Sequence, residues 1–283
     1  MNKLHIAALV AAFSLSACGG GGGSATPAAT PTSNTPTTPV TPPAPPTPTP
    51  PPTPTPAPTP TPQPVISAEG LWNGTTNNGR LISGLVLNDG TMWVIYSSQS
   101  NQTQIAGVIH GAGQSNNGSF TVANSLDFNL QGNGIMASNV SASYTAQKTF
   151  SGTVTYPGIG VQTFTATYSA NYDITPSLAT VAGTYSGVSA VKGATDSGTI
   201  TIDASGNMKS TAVSGCLSAG TITPRTKGNV YNLTVTYGAT PCLSPGATVT
   251  GIGYLDPTTK RLYGTALNAA RDNGFIFVGQ KTS

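Results

Sequence analysis

The chain has 283 residues, a formal net charge of +3 and only 7% charged residues, with 34 glycines and 24 prolines. Soluble domains usually carry about 25% Asp, Glu, Lys and Arg, yet hydrophobic residues still make up 37% here, so most of the chain can bury a core rather than stay disordered. The basic residues beyond the N-terminal region, from Arg80 to Lys281, are scattered, whereas a phosphate-binding surface needs a clustered basic footprint; nucleic acid is excluded as a partner.

The N-terminus reads as a leader. Lys3 supplies a positive start, IAALVAAF over 6–13 is an apolar run too short to span a bilayer, and small residues follow. Leu15-Ser16-Ala17-Cys18 then matches a bacterial lipobox. The expectation is a signal peptide over 1–17, removed to leave Cys18 as the lipidation site. The membrane is then a partner through that anchor. Each buried CH₂ adds roughly 0.8 kcal/mol of membrane affinity, so several palmitate-like chains hold firmly where one would not.

Residues 18–67 read as a linker. A run of glycines over 19–23 is flexible coil, and Pro and Thr dominate 27–64. Proline fixes φ and lacks a donor, so this part cannot join a helix or a sheet. Extended polyproline II over 39–64 reaches on the order of 80 Å. The segment is expected to be a spacer that lifts the folded part of the chain off a membrane; a docking site for proline-recognising domains is the rival.

Beyond residue 67, apolar and polar residues alternate between Gly, Asn and Asp turns. Strands are expected at 69–75, 81–87, 92–97, 104–111, 118–123, 139–146, 149–156 and 162–172. A second set lies at 181–189, 197–203, 208–213, 220–224, 230–237, 248–256, 261–267 and 274–280. Asn88-Asp89-Gly90 and Asn116-Asn117-Gly118 are hairpin signals. The two sets open alike, with Gly70-Leu71-Trp72-Asn73-Gly74 and Gly183-Thr184-Tyr185-Ser186-Gly187. This weak repeat predicts an all-β protein with two tandem small antiparallel up-and-down barrels of about eight strands, over 68–176 and 177–283. In each, the last strand returns to the first; Phe275-Ile276-Phe277-Val278 pairs back to the strand near Val181. One continuous sandwich over both segments is the rival.

Cys18 is taken by lipid, which leaves Cys216 and Cys242. In an exported chain that pair is expected as a disulfide, and closing such a loop is worth roughly 3–3.5 kcal/mol.

Few residues suit catalysis. A hydrolytic triad needs a nucleophile, a base and an orienter, and beyond the leader the sole histidine is His110. Glu69 is the sole glutamate, and Asp89, Asp203, Asp256 and Asp272 sit in turn-forming surroundings. A pair such as Asp127 and Asp173 would have to meet in three dimensions to act on a sugar. No catalytic residue, cofactor or metal site is expected. The aromatics are the candidate binding residues. Trp72, Trp93 and Tyr96 lie close in sequence, and Thr91-Met92-Trp93-Val94-Ile95-Tyr96 is apolar on both faces. Either one face fills a barrel while the other packs on the second domain, or these aromatics form an exposed binding patch.

The lipobox, the glycine run after Cys18, the spacer and small barrels together resemble Gram-negative outer-membrane surface lipoproteins of the transferrin-binding protein B and factor H-binding protein type. Lys148-Thr149-Phe150-Ser151-Gly152-Thr153-Val154, followed by Phe164-Thr165-Ala166, looks like a barrel hairpin of that group. The resemblance implies an outer-membrane lipoprotein displayed at the cell surface, binding a host or envelope protein or glycan. It carries over no ligand-contact residue. The expected function is thus a non-enzymatic binding or adhesion module on a long spacer. The alternative is a periplasm-facing structural lipoprotein, with a hydrolase ranking below both.

Overall fold

The computed structural model describes residues 66–283. The expected leader over 1–17, the expected lipidation site Cys18 and the expected linker as far as residue 65 lie outside the described residues. The rest folds into two closed antiparallel barrels of eight strands each.

The first barrel comprises β1 (Gly70–Thr76), β2 (Leu81–Val86), β3 (Thr91–Ser97), β4 (Ile105–Asn116), β5 (Ser119–Asn129), β6 (Gly134–Thr145), β7 (Thr149–Tyr156) and β8 (Gly160–Tyr168). A 3₁₀ turn, Ala170–Asp173, and a single helical turn, α1 (Leu178–Val181), lead to the second. That barrel comprises β9 (Gly183–Val191), β10 (Ala194–Ile202), β11 (Asn207–Ala212), β12 (Leu217–Pro224), β13 (Tyr231–Tyr237), β14 (Thr248–Leu255), β15 (Arg261–Leu267) and β16 (Gly274–Lys281). Each strand pairs with its neighbours in sequence. Closure comes from β1 with β8, Trp72 opposite Tyr168, and from β9 with β16, Val188 opposite Val278. Closing each sheet on itself leaves no edge strand to template aggregation, which suits a chain with few charges to guard edges. A single sandwich over both halves is ruled out by the same pairing.

Every expected strand is present, 149–156 and 261–267 with the expected boundaries and the others shifted at one or both ends. The expected strands at 104–111, 118–123 and 139–146 are longer than their alternation suggests, because bulges between His110 and Gly113 and between Val122 and Ser125 reset the period without ending the pairing. The strand expected over 162–172 stops at Tyr168, where Ser169 turns its backbone amide to the Leu71 carbonyl and the 3₁₀ turn begins. The Asn116-Asn117-Gly118 hairpin has positive φ at both Asn117 (44°) and Gly118 (89°), the geometry of a two-residue turn whose twist matches the strands.

Alternation sorts the side chains. Met92, Tyr96, Phe120, Val122, Val140, Phe150 and Phe164 point into the first barrel; Ile200, Ile202, Met208, Leu233, Val235, Phe275 and Phe277 fill the second. A third apolar cluster joins the outer faces of the two barrels. Leu71, Leu85, Trp93 and Val108 of the first pack with Ile252, Tyr254, Leu267 and Ile276 of the second. Polar ties flank it: Asn229 N–H donates to the Tyr172 carbonyl at 2.8 Å, Arg225 Nη2 to Asn88 Oδ1 at 3.0 Å, and Arg271 Nη2 to the His110 carbonyl at 3.1 Å. The strand that was apolar on both faces, β3, thus fills the barrel with Met92, Val94 and Tyr96 and meets the second barrel with Trp93 and Ile95.

Candidate functional site

The base of the first barrel is plugged by aromatics. Trp72 lies 5.2 Å from Phe150, which in turn lies 5.6 Å from Phe120 and 5.4 Å from Phe164, measured between ring centres. Toward the other end the inward positions become smaller, Gly84 and Val94 among them, and a cavity of about 250 Å³ remains. It opens where the β1–β2, β5–β6 and β7–β8 turns gather, with Asn78, Asn133 and Ile159 on its wall. Eight-stranded barrels leave room for one small ligand when their inward side chains do not fill them.

A polar cluster stands in this apolar wall. Asp127 on β5 is 1% exposed, and its two oxygens accept from Tyr96 Oη at 2.7 Å and Tyr156 Oη at 2.8 Å. Asn129 Nδ2 donates to Tyr96 Oη at 3.1 Å. Gly107 on β4 makes this possible: a Cβ there would stand 2.2 Å from Tyr96 Oη, so any other residue would push the hydroxyl away. Arg80, in the β1–β2 turn just before β2, donates to the Ser97 carbonyl at 2.8 Å and lies 5.5 Å above the Tyr96 ring. Gln162 also lines the cavity, and its Oε1 is buried without a donor. Burial pushes the Asp127 carboxyl above its ordinary range, while the two tyrosine hydrogen bonds and the Arg80 charge pull it back. Burial first, and then the Asp127 charge, push the Tyr96 and Tyr156 hydroxyls upward, so both stay protonated and keep donating.

The three aromatics singled out in the sequence do not form an exposed patch. Trp72, Trp93 and Tyr96 are 1%, 5% and 6% exposed. Period two separates them: Trp72 and Tyr96 point inward and line the cavity, while Trp93 points outward into the contact between barrels. His110 packs on Trp93 with ring centres 4.0 Å apart and planes tilted by 48°, and its Nδ1 is buried without a partner. Asp127 and Asp173 are not a pair, since Asp173 accepts from Tyr168 Oη at 2.6 Å outside the cavity.

Cys216 and Cys242 form a disulfide. It ties the β11–β12 turn to the loop between β13 and β14, at the mouth of a second cavity of about 500 Å³. That cavity is lined by Val191, Ile200, Met208, Val235 and Phe275, with Tyr237 Oη buried and without a partner. It holds no buried carboxylate comparable to Asp127.

Sequence reasoning did not assemble Asp127, Tyr156, Arg80 and Gln162, which come from four different strands or turns. One signal was available. Phe120 and Val122 set an inward face on β5, and after the bulge Ser125, Asp127 and Asn129 take it over, placing polar residues on a core face. No family model matches the chain, and no curated protein matches its sequence.

Proposed function

We propose that this protein is an outer-membrane lipoprotein, held by acyl chains at Cys18 and carried on the spacer over 18–67. It acts as a non-enzymatic binding module that takes a small, largely apolar molecule into its first barrel. The observation that carries the ligand reading is the cavity of about 250 Å³ walled by apolar side chains and marked by one buried polar cluster. Pockets of small-molecule binders have this composition, apolar walls with a few polar groups that fix orientation. The non-enzymatic reading is supported by the state of that cluster: both oxygens of Asp127 are engaged by tyrosine hydroxyls, and His110 stands apart, between the barrels. The anchor reading is supported by the lipobox Leu15-Ser16-Ala17-Cys18.

Two measurements test it. Calorimetric titration with uncharged naphthalen-1-ylmethanol should give saturable binding that Val94→Trp, which fills the cavity, removes. Binding unaffected by Val94→Trp counts against the first barrel. In cells, Cys18→Ala should move the chain from the membrane to the soluble fraction; a variant that stays in the membrane overturns the anchor.

A further inference from the structure

We infer that the molecule held in the first barrel carries a protonated amine that docks on Asp127, with a compact apolar body below it. The inference rests on the small-molecule reading of this cavity and adds the chemical class of the ligand.

Buried charges are ordinarily paired or bound to metal. Asp127 is neither. Among the described residues the sole ion pair is Arg225 with Asp89 at 3.4 Å, outside the barrel. Arg80 influences Asp127 through its charge, but its guanidinium is directed to the Ser97 carbonyl and the face of Tyr96. Among the described residues no group of three or more His, Cys, Asp or Glu could hold a metal ion. Each carboxylate oxygen has one tyrosine donor and capacity for another. Gln162 Oε1 adds a buried acceptor without a donor on the same cavity. Acceptors with spare capacity call for a head group that only donates, and an ammonium offers three N–H donors and no acceptor. Its charge would also hold Asp127 ionised against the effect of burial. Below the head, Met92, Val94 and Val140 offer only apolar surface, and Met136, the cross-strand neighbour of Asp127, stands beside it. A cavity of about 150 Å³ takes one benzene ring, so about 250 Å³ suits a body of two fused rings.

The methionines beyond the leader provide the readout. Met92 and Met136 line this cavity, and Met208 lines that of the second barrel. The full mature chain, labelled with ¹³C at the methionine methyls, is titrated at neutral pH with naphthalen-1-ylmethylamine and separately with naphthalen-1-ylmethanol. The amine should shift the Met92 and Met136 signals with a Kd at least tenfold below that of the alcohol, and leave Met208 in place. Asp127→Asn should remove that preference by raising the Kd of the amine, with unchanged Met92 and Met136 signals in the ligand-free variant reporting an intact first barrel. If the alcohol binds these methyls as tightly as the amine, the amine assignment is overturned and the small-molecule reading stands. If neither probe moves Met92 or Met136, both fall. The comparison within the wild-type chain decides even where Asp127→Asn does not fold.

Discussion

Trp72 and Tyr185 occupy equivalent places in the two barrels, and each donates to the carbonyl four residues upstream: Trp72 Nε1 to Ala68 O at 2.9 Å, and Tyr185 Oη to Val181 O at 2.7 Å. Both side chains are fully buried, at 1% and 0% exposure. The aromatic of the Gly-x-aromatic-x-Gly repeat therefore plugs the base of its barrel and ties down the chain that enters it. Its hydrogen bond satisfies a carbonyl that would otherwise be stranded in an apolar base.

Tyr185→Phe keeps the ring and strands the Val181 carbonyl. A loss of about 1–3 kcal/mol is expected, read from the urea midpoint of unfolding. A change below a few tenths would mean that the hydroxyl does not matter to the plug.

The second glycine of each repeat is a steric requirement. A Cβ at Gly74 would lie 1.9 Å from the Thr165 carbonyl oxygen, and one at Gly187 would lie 2.1 Å from that of Val278. Both clashes fall on backbone of the strand that closes the barrel. Gly74→Ala and Gly187→Ala should each cost about 3 kcal/mol or more, at the upper end for overpacked sites. At Gly84 a Cβ would come tight only to the Val94 Cγ2 methyl, at 3.3 Å, with the Trp72 carbonyl oxygen at an ordinary 3.8 Å, so Gly84→Ala should be far milder. Equal losses at all three positions would remove closure as the cause.

Trp93 is the large side chain of β3 in the contact between barrels. Trp93→Ala should cost about 3–5 kcal/mol of packing. It should also weaken the coupling between barrels, so that calorimetric unfolding broadens or separates into two transitions. A single transition of unchanged cooperativity would show that the barrels communicate elsewhere.

His110 gives an acid-side dependence of stability. Burial, and then the neighbouring Arg271 charge, pull its imidazole from about 6.5 down to about 4. The folded chain binds fewer protons than the unfolded chain in that window. Stability should fall as pH drops from about 6.5 to about 4, and His110→Leu should flatten that slope. Asp127 acts with the opposite sign. Its carboxyl is raised above 3.8, so its contribution is present below 3.8 and declines as pH rises through the folded value. Urea midpoints measured across the acid range separate the two: wild type and His110→Leu tracking one another would discount the histidine.

The disulfide closes a loop with a sequence separation of 26. Replacing both Cys216 and Cys242 by serine should cost roughly 3–3.5 kcal/mol in the chain-entropy account. The loss should appear as faster amide exchange on β11 to β14, with the first barrel keeping its protection. Equal loosening in both barrels would contradict a local role.

Much of the architecture was legible because strand chemistry is local. Phe150, Gly152, Val154 and Tyr156 alternate with Ser and Thr, and the pleat sends them to one face whatever the neighbours do. The two opening pentapeptides announced a repeat, which favoured two barrels over one sandwich, while closure itself came from the pairing of β1 with β8 and β9 with β16. Bulges were not legible, because the mark they leave on β5, Asn124 at a φ of 59° between Val122 and Ser125, reads in sequence as a turn that ends the strand. The site was legible only in fragments. Trp72, Trp93 and Tyr96 stood out for size, but their directions are set by register, and register turns a step of one residue into opposite sides of a wall.

By itself, then, the sequence determined what local pattern can encode: strand periods, the turns between them, the paired cysteines, and the repeat that makes two barrels from one plan. Tertiary structure decided which faces meet. Barrel closure brought Arg80, Tyr96, Asp127, Tyr156 and Gln162 from distant strands onto one cavity, and packing of the two outer faces hid Trp93. Cross-strand neighbours are set by pairing and shear over the whole sheet, and no short window of sequence contains them.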